Sequence, residues 1–167
     1  PDLTRIPVPA AKLVGRGSYL KQLDEAYNSG ETAIVSLVAP GGVGKSAITT
    51  GWLDNIAPDY EGAEKVFGWS FYSQGKHEVY TSSTQFYEKA LPFFGHEGKH
   101  PTSDDEKAIL LATLMNNQKS LLVLDGVEPL QHNPVVQHGW FSDVGIKKLL
   151  LQIGLNGLKK GGMLLIS

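Results

Sequence analysis

The chain has 167 residues, 41% of them hydrophobic and 19% charged, which suits one globular core and excludes a disordered or fibrous segment. A formal net charge of −2 excludes a broad positive field that would draw in nucleic acid or an anionic membrane by charge alone. Cysteine is absent, which excludes disulfides and thiolate metal sites and makes a reducing, cytoplasmic setting the expectation.

No apolar run approaches the roughly 20 residues that cross a bilayer, and residues 1–13 lack the basic-then-apolar layout of a signal peptide. The chain begins at Pro1 and stops inside the apolar run Met163-Leu164-Leu165-Ile166-Ser167, so it reads as a fragment of a longer, multidomain protein.

In chain order, residues 1–12 form an entry segment. Prolines within 5–11 restrict the residue before each of them and favour extended backbone. Ser18 is placed to cap a helix whose Tyr19, Leu20, Leu23, Ala26 and Tyr27 recur at helical spacing, and Asn28-Ser29-Gly30 ends it. Residues 32–38 are β-branched or apolar at nearly every position, the pattern of a strand buried on both faces. A glycine-rich loop follows, and then a helix over 45–56 with Ala47, Ile48, Trp52, Leu53 and Ile56 at helical spacing, ending near Pro58.

A second strand is predicted over 65–72, a helix disturbed at Pro92 over 81–94, and a helix over 104–115 begun by Ser103-Asp104-Asp105-Glu106. A third, buried strand spans 121–124 and ends at Asp125. Residues 128–140 read as loop, 144–155 as a helix and 162–166 as a fourth strand. Strands alternating with helices predict an α/β fold with a mostly parallel sheet.

Ala39-Pro40-Gly41-Gly42-Val43-Gly44-Lys45-Ser46 matches the phosphate-binding loop, with alanine in place of the first glycine. The chemistry demands this composition: glycines let successive backbone N–H groups turn toward a phosphate, and the following helix points its positive end at the anion. In this reading Pro40, Gly41, Gly42, Val43, Gly44, Lys45, Ser46 and Ala47 bind ATP, Lys45 reaches the β- and γ-phosphates, and Ser46 supplies a hydroxyl to Mg²⁺. Leu121-Leu122-Val123-Leu124-Asp125 buries a strand and sets one carboxylate at its C-terminal end, where ligands of open α/β sheets bind. Asp125 would hold the Mg²⁺ directly or through water. Glu128 would polarise the attacking water, or would be a surface acid beside Pro129.

The five histidines, His77, His96, His100, His132 and His138, show no metal-site spacing and read as surface residues. Trp140-Phe141 reads as an anchor that tucks the long loop onto the sheet.

Leu13-Val14-Gly15-Arg16, the glycine-rich loop, and Asp125-Gly126-Val127-Glu128-Pro129-Leu130 after its apolar strand together resemble the nucleotide-binding domain of the STAND ATPases, relatives of NACHT and NB-ARC domains. The resemblance spans nearly the whole chain and implies that 13–167 is one P-loop nucleotide-binding domain. It implies a three-layer P-loop NTPase sheet of the ASCE/AAA-like kind in the order 2-3-4-1, the fourth strand lying between the phosphate-loop strand and the Asp125 strand. The edge beside the first strand would be open, or covered by a partner or by the N-terminal segment. It also implies that Leu13, Val14, Gly15 and Arg16 pack against adenine and ribose. Val66-Phe67-Gly68-Trp69-Ser70-Phe71-Tyr72-Ser73-Gln74-Gly75 looks like a stretch of bacterial STAND proteins, which makes Ser73 and Gln74 candidates for sensing the γ-phosphate.

Family members carry a sensor arginine after the fourth strand and a helical lid, and neither falls within these residues. The function implied is an ATP- and Mg²⁺-controlled switch with slow hydrolysis, acting through self-association and through effector and sensor domains outside this stretch, in bacterial signalling or antiphage defence. Alternatives from the residues are a DNA-loading or remodelling ATPase of the AAA class, a small-molecule kinase, and a degenerate loop kept as an interaction surface. The first commonly has an adjacent acidic pair where this chain has Asp125-Gly126. The second needs lid arginines, and Arg5 and Arg16 both precede the loop.

Overall fold

The computed structural model describes residues 1–8, 15–72, 82–131 and 141–167. They form an α/β fold around a four-stranded, all-parallel sheet. Among the described residues no helix is long and apolar enough to cross a membrane.

The elements in chain order are α1 (Gly17–Ser29), β1 (Ile34–Ser36), α2 (Lys45–Ile56), β2 (Lys65–Ser70), α3 (Thr84–Phe93), α4 (Asp104–Asn116), β3 (Ser120–Asp125), α5 (Val144–Asn156) and β4 (Met163–Ile166), with short 3-10 turns at Tyr60–Gly62 and Glu128–Leu130. The sheet runs β1-β4-β3-β2 from one edge, which is β2-β3-β4-β1 from the other, and β4 lies between β1 and β3.

Successive strand residues point to opposite faces, and this splits the core in two. Val66, Leu121, Val123, Met163 and Leu165 face α1 and α2, where Leu23, Tyr27, Ile48, Trp52, Leu53 and Ile56 pack. Phe67, Trp69, Leu122, Leu124, Leu164 and Ile166 face α3, α4 and α5 and the larger cluster around Phe86, Leu111, Met115, Leu149 and Ile153. Trp52 is fully buried, yet its indole N–H is satisfied by Asp24 Oδ1 at 2.7 Å, which fixes α2 against α1.

Side-chain caps start two of the helices. Ser103 accepts from the Glu106 amide at the head of α4, and Asp143 Oδ1 accepts from the Ile146 amide at 2.8 Å at the head of α5. Asp143 Oδ2 also accepts from the Ser83 amide at 2.8 Å, so one carboxylate joins the starts of α3 and α5.

Several expectations need correction. Ser18 does not cap α1: the cap position is Arg16, without a side-chain cap bond, and Ser18 lies inside the first turn. The first strand is three residues long instead of seven and only partly buried, and Val38 is 90% exposed. As an edge strand it has a neighbour, β4, on one side only.

Residues 1–8, the described part of the N-terminal segment, do not cover that edge. Asp2 pairs in parallel with Phe67 at the opposite edge, its amide donating to the Val66 carbonyl and its carbonyl accepting from Gly68. Nor is residue 5 extended: a turn closes there, with the Ile6 amide on the Leu3 carbonyl at 3.0 Å. This segment straddles β2. Leu3 and Ile6 occupy the space above Gly68, where a Cβ would come within 2.3 Å of Ile6, and the Arg5 guanidinium lies 4.1 Å from the centre of the Trp69 ring on the other face.

Candidate functional site

The C-terminal ends of β2, β3 and β4 come together in register. Ser70 lies opposite Asp125, and Leu124 opposite Ile166, so the residues that follow, Asp125 and Ser167, are neighbours. The same alternation that divides the core turns Ser70, Asp125 and Ser167 toward α2.

Asp125 is buried, and a carboxylate taken out of water costs several kcal/mol unless hydrogen bonds replace its hydration. Three hydroxyls do so. Ser46 Oγ donates to Oδ1 at 2.7 Å and Ser167 Oγ to Oδ1 at 3.0 Å, while Ser70 Oγ lies 3.2 Å from both Oδ2 and the Tyr72 carbonyl and shares its one hydrogen between them. Because the Ser46 hydrogen points at Asp125, its oxygen lone pairs remain to meet a cation.

Lys45 and Ser46 open α2, whose cap position is Gly44 at φ 94° with no side-chain cap bond. The amides of the first helical turn thus face the glycine-rich loop with no side chain closing them off. Lys45 Nζ donates to the Ala39 carbonyl at 3.0 Å and lies 3.2 Å from Glu128 Oε1. The lysine is mostly buried and the glutamate half-exposed, their side chains being 14% and 43% accessible.

A cavity of about 380 Å³ is lined by Gly41, Gly42, Gly44, Lys45, Ser46, Tyr72, Gly126, Glu128 and Ser167. A second, of about 540 Å³, lies between the root of the loop and the turn after β3, and Val38, Ala39, Val127, Gln131 and Phe141 help line it. Lys45 and Glu128 line both, so their ion pair separates the two spaces. A Cβ placed on Gly41, Gly42 or Gly44 would meet no protein atom within 4 Å. The room above the loop is therefore open to a ligand that approaches the backbone closely.

The arrangement brings together Lys45, Ser46, Asp125 and Glu128, and it suits a polyphosphate with a hard divalent cation: backbone amides and an ammonium for the phosphates, a hydroxyl and a carboxylate for the cation. Among the described residues no group of three or more His, Asp or Glu side chains gathers to hold a metal, here or elsewhere. Asp125 accepts from the serine hydroxyls around it and keeps acceptor capacity for a cation. Glu128 is the remaining carboxylate on the smaller cavity, and in this arrangement it engages Lys45 instead of standing free as a base.

Arg16 lies outside the cavity lining. Its Nη2 donates to the Val43 carbonyl at 3.1 Å, and its guanidinium stands 5.7 Å from the Tyr19 ring, so it ties the head of α1 to the loop. Gly15, beside it, has φ 71°. Pro40 and Val43 sit on the exposed loop, and Ala47 lies in the first turn of α2. Leu13, Val14, Ser73, Gln74, His77, His132, His138 and Trp140 lie outside the described residues.

The His96 and His100 rings meet at a tilt of 49°, with centres 5.4 Å apart, on the turn after α3. Phe141 pairs with Gln131 and packs against the larger core cluster, the anchoring role expected of it.

The sequence reading missed Ser70, Ser167 and Tyr72. The two serines carry no local signal, since each is one polar residue closing an apolar strand, and their role depends on register across the sheet. Tyr72 follows Ser70. Partial burial first, and then the charges of Glu128 and Asp125, raise the pKa of its phenol above the ordinary value. No protein-family model matches the chain, and no curated protein sequence matches it.

Proposed function

We propose that this chain binds ATP with Mg²⁺ and serves as the regulatory switch domain of a STAND-type signalling ATPase. The observation that carries the reading is the convergence at one cavity of Lys45, Ser46 and the glycine-rich loop with Asp125, through the 2.7 Å bond between Ser46 and Asp125. Lys45 would engage the β- and γ-phosphates, and Ser46 with Asp125 would hold the cation. The cation supplies positive charge against the phosphate oxygens.

A helical loop-to-cavity arrangement of this kind belongs to many nucleotide-binding proteins. The switch function rests on the likeness of Val14-Gly15-Arg16 and of the stretch around Asp125-Gly126 to STAND domains. Slow hydrolysis fits a site whose best-placed free carboxylate, Glu128, is engaged with the phosphate lysine. Binding energy would then go into reorienting neighbouring domains and promoting self-association.

Titration calorimetry of the chain with ATP, ADP and GTP in Mg²⁺, repeated on Lys45→Ala, tests the reading. Adenine nucleotides should bind, and the substitution should weaken them at least tenfold, the value of about one to two charge-assisted hydrogen bonds. No binding at millimolar nucleotide, or equal binding by the variant, would overturn it.

A further inference from the structure

We propose that Tyr72 determines specificity at this site, its hydroxyl contacting the terminal phosphate of a nucleoside triphosphate so that triphosphate is bound in preference to diphosphate. The proposal rests on the reading of the cavity as a nucleotide site.

Position is the first argument. Tyr72 lines the smaller cavity with Lys45 and Ser46, from the strand-end side opposite the loop. A polyphosphate cradled by the loop, with Lys45 at its β- and γ-phosphates and the cation at Ser46, directs its terminal group toward the strand ends. Asp125, Glu128 and Tyr72 are gathered there.

Chemistry is the second. Ser46 and Ser167, the other side-chain hydroxyls lining this space, both give their hydrogens to Asp125. Among the described lining residues, the phenol is the remaining hydroxyl donor. Partial burial first, and then the charges of Glu128 and Asp125, oppose its ionisation, so the phenol keeps the proton that a phosphate oxygen would accept.

Preorganisation is the third. The ring lies against the backbone of Gly126, where an added Cβ would approach Tyr72 Cδ2 to 2.3 Å. The main chain is held as well: the Tyr72 amide donates to Ser70 Oγ at 3.3 Å, and the same hydroxyl bonds Asp125. Tyr72 is thus tied to the carboxylate at the cation position while 46% of its surface remains accessible.

The test is calorimetry in Mg²⁺ with the β,γ-imido analogue of ATP and with ADP, on the unmodified chain, Tyr72→Phe, Tyr72→Ala and Lys45→Ala. Tyr72→Phe keeps the ring on Gly126 and removes only the hydroxyl. It should weaken the triphosphate analogue about tenfold and leave ADP within about twofold, as one hydrogen bond to a charged group predicts. Tyr72→Ala should show the same selective loss. If both nucleotides change equally, or neither changes, while Lys45→Ala still destroys binding, Tyr72 does not discriminate and the nucleotide site stands. If Lys45→Ala binds like the unmodified chain, or nothing binds at millimolar nucleotide, the site reading and the Tyr72 proposal both fail.

Discussion

The turn after β1 and the turn after β3 border the same cavity, and each carries a glycine at positive φ, Gly44 at 94° and Gly126 at 64°. Around Gly44, and around Gly41 and Gly42 before it, a Cβ would meet no protein atom within 4 Å. Around Gly126 it would strike the Tyr72 ring. One turn is shaped from inside, by a side chain that needs the space. The other has no internal occupant: positive φ accounts for Gly42 and Gly44, and no neighbouring protein atom accounts for Gly41. Gly41 sharpens the contrast, since its backbone is not in the left-handed region either.

The largest expected effect comes from breaking that contrast directly. Gly126→Ala combines left-handed strain of about 1–2 kcal/mol with displacement of Tyr72, and urea unfolding should show a loss of about 2 kcal/mol or more. Gly41→Ala should stay within about 0.5 kcal/mol of the parent in the same assay. Comparable losses in the two variants would show that internal packing shapes both turns.

A smaller effect is expected where the turns meet. Glu128→Gln removes the ion pair that holds Lys45 and should tighten ADP by up to about fivefold, as a half-exposed pair worth no more than about 1 kcal/mol allows. Weaker ADP binding in that variant would mean that Glu128 orients Lys45 instead of competing for it.

A further effect, confined to alkaline pH, concerns the layers beneath. Burial, and then Glu61, push the Tyr27 phenol up to about 12, and burial also raises Tyr87 on the other face. Tyrosine is neutral when protonated, so the unfolded chain releases these protons from about pH 10 while the folded one keeps them. Stability is therefore complete below about pH 10 and declines toward pH 12. Thermal melts of Tyr27→Phe across that range should show a shallower decline, and an unchanged slope would remove Tyr27 from the account.

Legibility in the sequence followed how local each cause is. α2 spans Lys45–Ile56 as its helical spacing indicates, and α4 and α5 begin where Ser103 and Asp143 cap them. β3 is buried throughout, as four consecutive apolar residues suggest. Residues 32–38 read as equally buried, but their surroundings are set by strand order: at the sheet edge only Ile34–Ser36 pair, and Val38 faces solvent. Lys45, Ser46 and Asp125 were legible because their motifs are contiguous. Ser70 and Ser167 were not, because they reach Asp125 across 55 and 42 residues of chain. Pairing of Asp2 with β2 has no sequence signature at all; Gly68 is its trace, a strand glycine that leaves room for Leu3 and Ile6.

The three hydroxyls around Asp125 come from α2, β2 and β4, while the carboxylate itself belongs to β3. One carboxylate thus joins four pieces of the backbone through hydrogen bonds of about 3 Å. A pull on Ser46 at the head of α2 is transmitted through one rigid, planar group to two further strands, on either side of β3. A short linkage thus runs from the place where the glycine-rich loop becomes a helix to the C-terminal ends of the central strands.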